Sequence, residues 1–230
     1  IGLNAYIGWN VKLFLERLAG PIPGPAFWTL FMLLAFGFPL GRMKRGPGPV
    51  LRLLKVAGAH YFALFEFGCL LLPPADIAGW LLREAGFGPE VYIGAPGTAV
   101  LAVLLAVFAL GSYNAWSPVV REYRLEVAKH AGDLRELRIL AASDLHLGNI
   151  VGNRHLRRLI REAERRKPDL ILLAGDVLDE DLEPFIRNRM DVTISGLKAP
   201  YGVFAVLGNH EYYGGRIEEW VRRAADAGIR

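Results

Sequence analysis

The sequence predicts a multi-span α-helical membrane region followed by a small α/β domain, and two observations carry that reading. First, charge is unevenly placed. Residues 1–115 hold 13 charged side chains (8 basic, 5 acidic), and 116–230 hold the other 37 (19 basic, 18 acidic). Second, from residue 137 onward, short wholly apolar runs alternate with helix-patterned ones, and each apolar run ends in a polar cluster. With 53% apolar residues over 230 positions, intrinsic disorder is excluded. A wholly soluble domain would carry about 25% charge throughout, so that class is excluded too.

The membrane elements follow in order. Leu18–Gly41 and Val91–Val120 carry no charge, and Val56–Ala75 carries only Glu66. A helix needs about 20 mostly apolar residues to cross the hydrocarbon core, so spans are expected near 26–41, 54–73 and 96–114. Ile1–Val11 is uncharged but too short, and reads as the remnant of a cut helix. Pro21, Pro23 and Pro25 precede the first span and Pro73–Pro74 closes the second. Trp28, Trp80, Tyr92, Tyr113 and Trp116 lie near the ends, where amphipathic rings favour the interface. Buried helices of a soluble core would instead show a polar stripe.

Arg42, Lys44, Arg45, Arg52 and Lys55 follow the first span with no acid among them, whereas the next loop sets Arg83 against Asp76, Glu84 and Glu90. Basic loops stay cytoplasmic. The expected location is therefore a multi-pass cell-membrane protein whose charged half faces the cytoplasm. The lipid bilayer is one partner. Nucleic acid is not expected, because the net charge of +4 splits as +3 and +1 and the charged half is nearly balanced. Cys69 is the single cysteine, so no intrachain disulfide framework exists.

Residues 116–136 read as a linker. Beyond them Leu137–Ala142, Leu170–Ala174 and Val203–Leu207 are strand-like. Arg154–Lys167 places Leu156, Leu159, Ile160 and Ala163 on one helical face, Pro184–Leu197 is a weaker helix, and Arg216–Ala227 a third. Apolar strands alternating with helices predict a parallel sheet covered on both faces. Ligands bind beyond the carboxyl ends of such strands. Ser143-Asp144-Leu145-His146, Gly175-Asp176-Val177-Leu178-Asp179 and Gly208-Asn209-His210-Glu211 all fall there.

Asp, His, Asp and Asn delivered to one rim suggest a metal centre. Asp144 and His146 are two apart, so an extended strand end would point both the same way. Asp176 could bridge two cations, and Asn209 could offer a carbonyl oxygen to the second. Mixed oxygen and nitrogen donors suit Mn, Fe, Zn or Mg. Each motif alone is weak; three in order at strand ends are not.

At these residues the chain resembles the calcineurin-like metallophosphoesterase family, and with spans ahead of the domain it looks like that family's membrane-attached bacterial branch. Soluble relatives of that branch include enzymes similar to UDP-diacylglucosamine hydrolases. The resemblance covers about 137–230 and implies the first half of a metallophosphoesterase sandwich. It implies two divalent ions, with Asp144 and His146 on the first, Asp176 bridging, and Asn209 on the second. His210 would be the acid that protonates the leaving oxygen, oriented by Asp179. A phosphoester substrate is implied, and membrane attachment extends the expectation to a lipid-linked one. The family's further histidine and Gly-His-x-His motif have no match here. The start at Ile1 and the end at Arg230 read as truncations, so weak metal binding and little turnover are expected.

A competing reading is non-catalytic: a membrane sensor or transport component carrying a degenerate metal- or nucleotide-binding module. Arg154, Arg157, Arg158, Arg161, Arg165, Arg166 and Lys167 crowd one predicted helix, either as a contact for anionic headgroups or phosphorylated substrate, or as a solvated face paired with Glu162 and Glu164. Tyr212 and Tyr213 either line a substrate pocket or pack beneath their loop.

Overall fold

The computed structural model describes residues 1–42 and 48–230, so Lys44 and Arg45 of the basic loop lie outside the described residues. The chain divides into two compact units, Ile1–Val120 and Arg121–Arg230.

The first unit is helical: α1 (Gly2–Ala19), α2 (Gly24–Ala35), α3 (Gly37–Arg42), α4 (Pro49–Glu84), α5 (Pro89–Tyr92) and α6 (Gly94–Trp116). Among the described residues, two stretches are long and apolar enough to cross a membrane, Pro49–Glu84 and Pro89–Trp116. The expected first span is instead the 12-residue α2 followed by α3, with the break at Phe36. Pro39 explains the break: it has no N–H to give the Ala35 carbonyl and its ring crowds that oxygen, at about 3 kcal/mol in a helix interior. The expected stop at Pro73–Pro74 does not occur, because α4 runs through both prolines to Glu84. Contacts on either side hold it through the two missing bonds. Leu72 is buried against Ile7, Phe31 and Tyr61, and Asp76 accepts a hydrogen bond from Tyr6 of α1. Ile1–Val11 is likewise not a separate stub but the start of the 18-residue α1.

Small residues set the helix crossings. A Cβ on Gly58 would lie 2.2 Å from the backbone nitrogen of Phe38, and one on Gly37 2.6 Å from the Leu54 carbonyl oxygen. The missing side chain at each glycine is what lets the two backbones approach this closely, the same device that small residues supply in helix packing within membranes. By contrast, no residue of α6 is buried.

The second unit holds a three-stranded parallel sheet in the order β1 (Ile139–Ala142), β2 (Leu170–Ala174), β3 (Val203–Val206). Ile139 pairs with Leu170, and Ile171 with Val203. Ile229 and Arg230 extend the ladder along β3: Ala205 N–H donates to the Arg230 carbonyl and Arg230 N–H to that of Val203. Between strands lie α7 (Asn153–Arg166), α8 (Leu182–Arg187) and α9 (Met190–Ile194); α10 (Asn209–Gly214) and α11 (Ile217–Asp226) follow β3. The helix expected over 184–197 is thus two, split at Arg189 with φ 52°. The Asn153 amide donates to the Asn188 carbonyl freed at the split, at 2.7 Å.

Among the described residues, the helices of this unit cover one sheet face, where two were expected. Leu140, Ala142, Ile171, Leu173, Val203 and Ala205 meet Leu156, Phe185, Met190, Ile194 and Trp220 in one cluster. Ile139 and Val206, pointing the other way, are 50% and 62% exposed. The apolar stripes of α7, α8, α9 and α11 all enter the same cluster, so none is left for the opposite face.

Candidate metal centre

The loops leaving β1 and β2 are sewn together by their backbones. Asp144 N–H donates to the Gly175 carbonyl (3.2 Å), His146 N–H to that of Asp176 (3.0 Å) and Leu147 N–H to that of Val177 (2.8 Å). Asp179 N–H returns a bond to the Leu147 carbonyl at 3.0 Å. The parallel ladder therefore continues past β1 and β2 into the motifs, which fixes their heights along the rim.

These loops are not extended, which corrects the expected reason for pairing Asp144 with His146. Asp144 (φ 55°), His146 (φ 46°), Asp176 (φ 50°) and Glu180 (φ 54°) all occupy the left-handed region. Each such residue costs on the order of 1–3 kcal/mol, and strain of this kind gathers where function requires it. The pair still converges: Asp144 Oδ1 lies 3.8 Å from His146 Nε2.

At the centre, His146, Asp176 and His210 each offer one ligand atom, all within 4.8 Å of one another. The two imidazoles meet edge to face with centroids 4.4 Å apart. Asp176 Oδ1 accepts the His210 backbone N–H at 2.9 Å, which ties the β2 loop to the start of α10. His210 Nδ1 is buried without a hydrogen-bond partner; Asp179 Oδ1 faces it from 3.8 Å, beyond hydrogen-bond range. His146 and Asp176 offer a nitrogen and an oxygen donor that fit a divalent cation such as Mn, Fe or Zn, and His210 stands beside that pair with its Nδ1 buried.

The structure thus gathers His146, Asp176 and His210, sets Asp144 beside the first and Asp179 beside the last, and leaves Asn209 exposed at the start of α10. The Asp144 side chain is 67% exposed, so it stands at the outer edge of the site.

Glu211 was not singled out by the sequence reading. It is the buried charged residue of this unit, 3% exposed. Its carboxylate accepts the backbone N–H groups of Gly208 (2.7 Å), Leu178 (2.9 Å) and Asp176 (3.1 Å). It therefore clamps the β2 and β3 loops in register. The signal was present: a glutamate three residues after a helix N-cap reaches back to that cap's N–H. Gly208 is equally constrained, since a Cβ there would lie 2.1 Å from Asp176 Oδ1. Tyr213 adds a ring 5.7 Å from that of His210 and is 65% exposed.

The strand ends of a parallel sheet thus bring two histidines and an aspartate together as a candidate metal centre. Residues 137–228 match the family described as calcineurin-like phosphoesterase, and this part of the chain belongs to that family. The chain is 32% identical over 172 residues to a zebrafish (Danio rerio) transmembrane protein with metallophosphoesterase domain, covering 73% of this chain and 38% of that one. It is 34% identical over 115 residues to an uncharacterized metallophosphoesterase of Aquifex aeolicus, covering 50% and 42%. A UDP-2,3-diacylglucosamine pyrophosphatase of Chlamydia muridarum is 33% identical over 84 residues, 36% of this chain and 25% of that one. The chain spans well under half the length of these relatives. No solved structure gives a significant match.

Proposed function

We propose that the protein is a membrane-anchored, metal-dependent phosphoester hydrolase. The observation that carries this reading is the convergence of His146, Asp176 and His210 on one point, in a segment of phosphoesterase ancestry. Asp144, His146, Asp176 and Asn209 are the proposed holders of two divalent ions. Bound there, the ions would supply Lewis-acid neutralisation of the phosphoryl oxygens and an attacking water acidified toward neutral pH. His210 gives its proton to the leaving oxygen. Asp179, 3.8 Å from its Nδ1, closes to orient the ring once that nitrogen carries a proton. Glu211 keeps both loops at a fixed separation while this happens.

Anchoring rests on the two long apolar helices and on the zebrafish match. Its 172 aligned residues exceed the 110 of Arg121–Arg230, so the likeness extends into the helical unit. The excess of basic residues, Arg52 and Lys55 at the start of α4 with Lys44 and Arg45 before them, supports a reading in which that end and the hydrolase unit face the cytoplasm. The Chlamydia relative is named for a diacylated sugar nucleotide, and with a bilayer presenting substrate to the rim the proposed substrate is a lipid-linked phosphoester.

The test is hydrolysis of bis-p-nitrophenyl phosphate by protein stripped of metal and resupplied with Mn²⁺. Turnover should require the ion and disappear in Asp176→Asn. Unchanged turnover in that variant contradicts the assignment, and Mn²⁺ binding without turnover favours a non-catalytic binding module.

A further inference from the structure

The hydrolase unit carries a charged face that the catalytic reading does not use. α7 (Asn153–Arg166) turns Leu156 and Ala163 into the core. At 3.6 residues per turn, Arg154, Arg157, Arg158, Arg161 and Arg165 fall within an arc of about 100° on the opposite side. The stripe is about 16 Å long at 1.5 Å per residue. Arg154, Arg157, Arg161 and Arg165 are exposed and Arg158 half-buried. One member of the stripe, Arg165, is paired with a neighbouring carboxylate. Glu162 takes Arg165 at 2.6 Å and Arg166 at 3.2 Å, and Glu122 also takes Arg166. Among the described residues, Arg157, Arg158 and Arg161 have no carboxylate within ion-pair distance.

Resting on the membrane reading above, we propose that this arginine stripe docks on the anionic headgroups of the bilayer that α4 and α6 enter. The chain itself supplies the argument for that occupant. α6 ends at Trp116 and α7 begins at Asn153, so a bilayer holding α6 keeps the stripe tethered close to its surface, where even weak attraction is amplified. A nucleic-acid partner is disfavoured by the rest of the unit, which is net negative once the five stripe arginines are set aside from the 19 basic and 18 acidic residues of 116–230. The apolar face of α7 is occupied by the domain core, so the contact is electrostatic without insertion. It is therefore fully salt-sensitive. Each arginine at such a surface contributes about a fivefold factor, equivalent to ~1 kcal/mol. His146 lies just before α7 in the chain, so docking would also fix which side of the strand-end rim meets the headgroups.

The experiment uses the whole chain in phosphatidylcholine vesicles with or without about one-third phosphatidylglycerol, a typical anionic fraction for reading headgroup attraction. A dye on Glu164→Cys, in a Cys69→Ser background, reports energy transfer to an acceptor-labelled lipid. Transfer should rise several-fold with phosphatidylglycerol and collapse in high salt. It should fall to the phosphatidylcholine level in Arg157→Gln/Arg158→Gln/Arg161→Gln, whose substitutions lie opposite the core. Equal transfer in both lipids, from protein that resists alkaline extraction, overturns the docking while leaving the anchor intact. Extraction by alkali overturns the anchor and the docking together. Arginine-dependent binding to duplex RNA, with no lipid effect, also overturns it.

Discussion

Glu211 shows how one side chain can set the geometry of a site it does not enter. Three backbone N–H groups from two loops end on its carboxylate, and hydrogen bonds to a charged acceptor contribute about 1.5–3 kcal/mol each. Glu211→Gln leaves an NH₂ facing those donors, and should destabilise the unit by at least ~2 kcal/mol. In a thermal melt that is a drop of roughly 10 °C for a domain near 100 residues. An unchanged melting temperature would remove the clamp from the account. Gly208→Ala acts at shorter range. Its Cβ would sit 2.1 Å from Asp176 Oδ1, so Asp176 must move, and Mn²⁺ affinity should fall by tenfold or more, the scale of a disturbed outer partner. Wild-type affinity in that variant would show the loop to be more compliant than its contacts imply. The motif residues were legible in the sequence because short apolar strands ended on them. The left-handed backbone at Asp144, His146 and Asp176 was not, since aspartate and histidine adopt it only when surrounding bonds compel them.

Among elements, local rules were reliable where nothing competed with them and failed where packing did. α7 matched its expected span to within a residue, because Leu156, Leu159, Ile160 and Ala163 fixed its inner face and Pro168 followed its end. Pro73–Pro74 misled, because contacts from Tyr6 and around Leu72 hold α4 on both sides. Coverage of the sheet was also illegible. Apolar runs such as Leu170–Ala174 put apolar side chains on both sides of a strand, but do not say which sides the helices reach. α11 offers a pH test. Its Glu219 carboxyl is held below the ordinary value of 4.5 by hydrogen bonds from Arg216 and, with burial opposing, from Arg223. The folded value lies below the unfolded one, so this contribution to stability is complete above the ordinary value and disappears as pH falls through the folded one. Glu219→Gln should therefore lower the melting temperature slightly near pH 7 and leave it unchanged near about pH 2. A difference that persists in acid would mean that Glu219 acts by packing.

At the scale of the whole chain, the division of charge corresponds to a division of chemistry. Thirteen charged residues accompany the helical unit and its long apolar helices, and 37 accompany the unit with the candidate centre. The second unit depends on strand order, because adjacent parallel strands β1, β2 and β3 bring three separate motifs to a common rim. The hydrolase proposed for the molecule requires that this rim hold a divalent ion. Calorimetric titration of metal-free protein with Mn²⁺ tests that requirement most directly, with His146→Ala and Asp176→Asn titrated alongside. Saturable binding to the wild type, weakened more than ~100-fold in both variants, is the predicted result, since lost ligands should exceed the 10- to 100-fold effect of outer partners. Absence of saturable binding to the wild type, or equal binding by all three proteins, would contradict the metal centre and the hydrolase built on it.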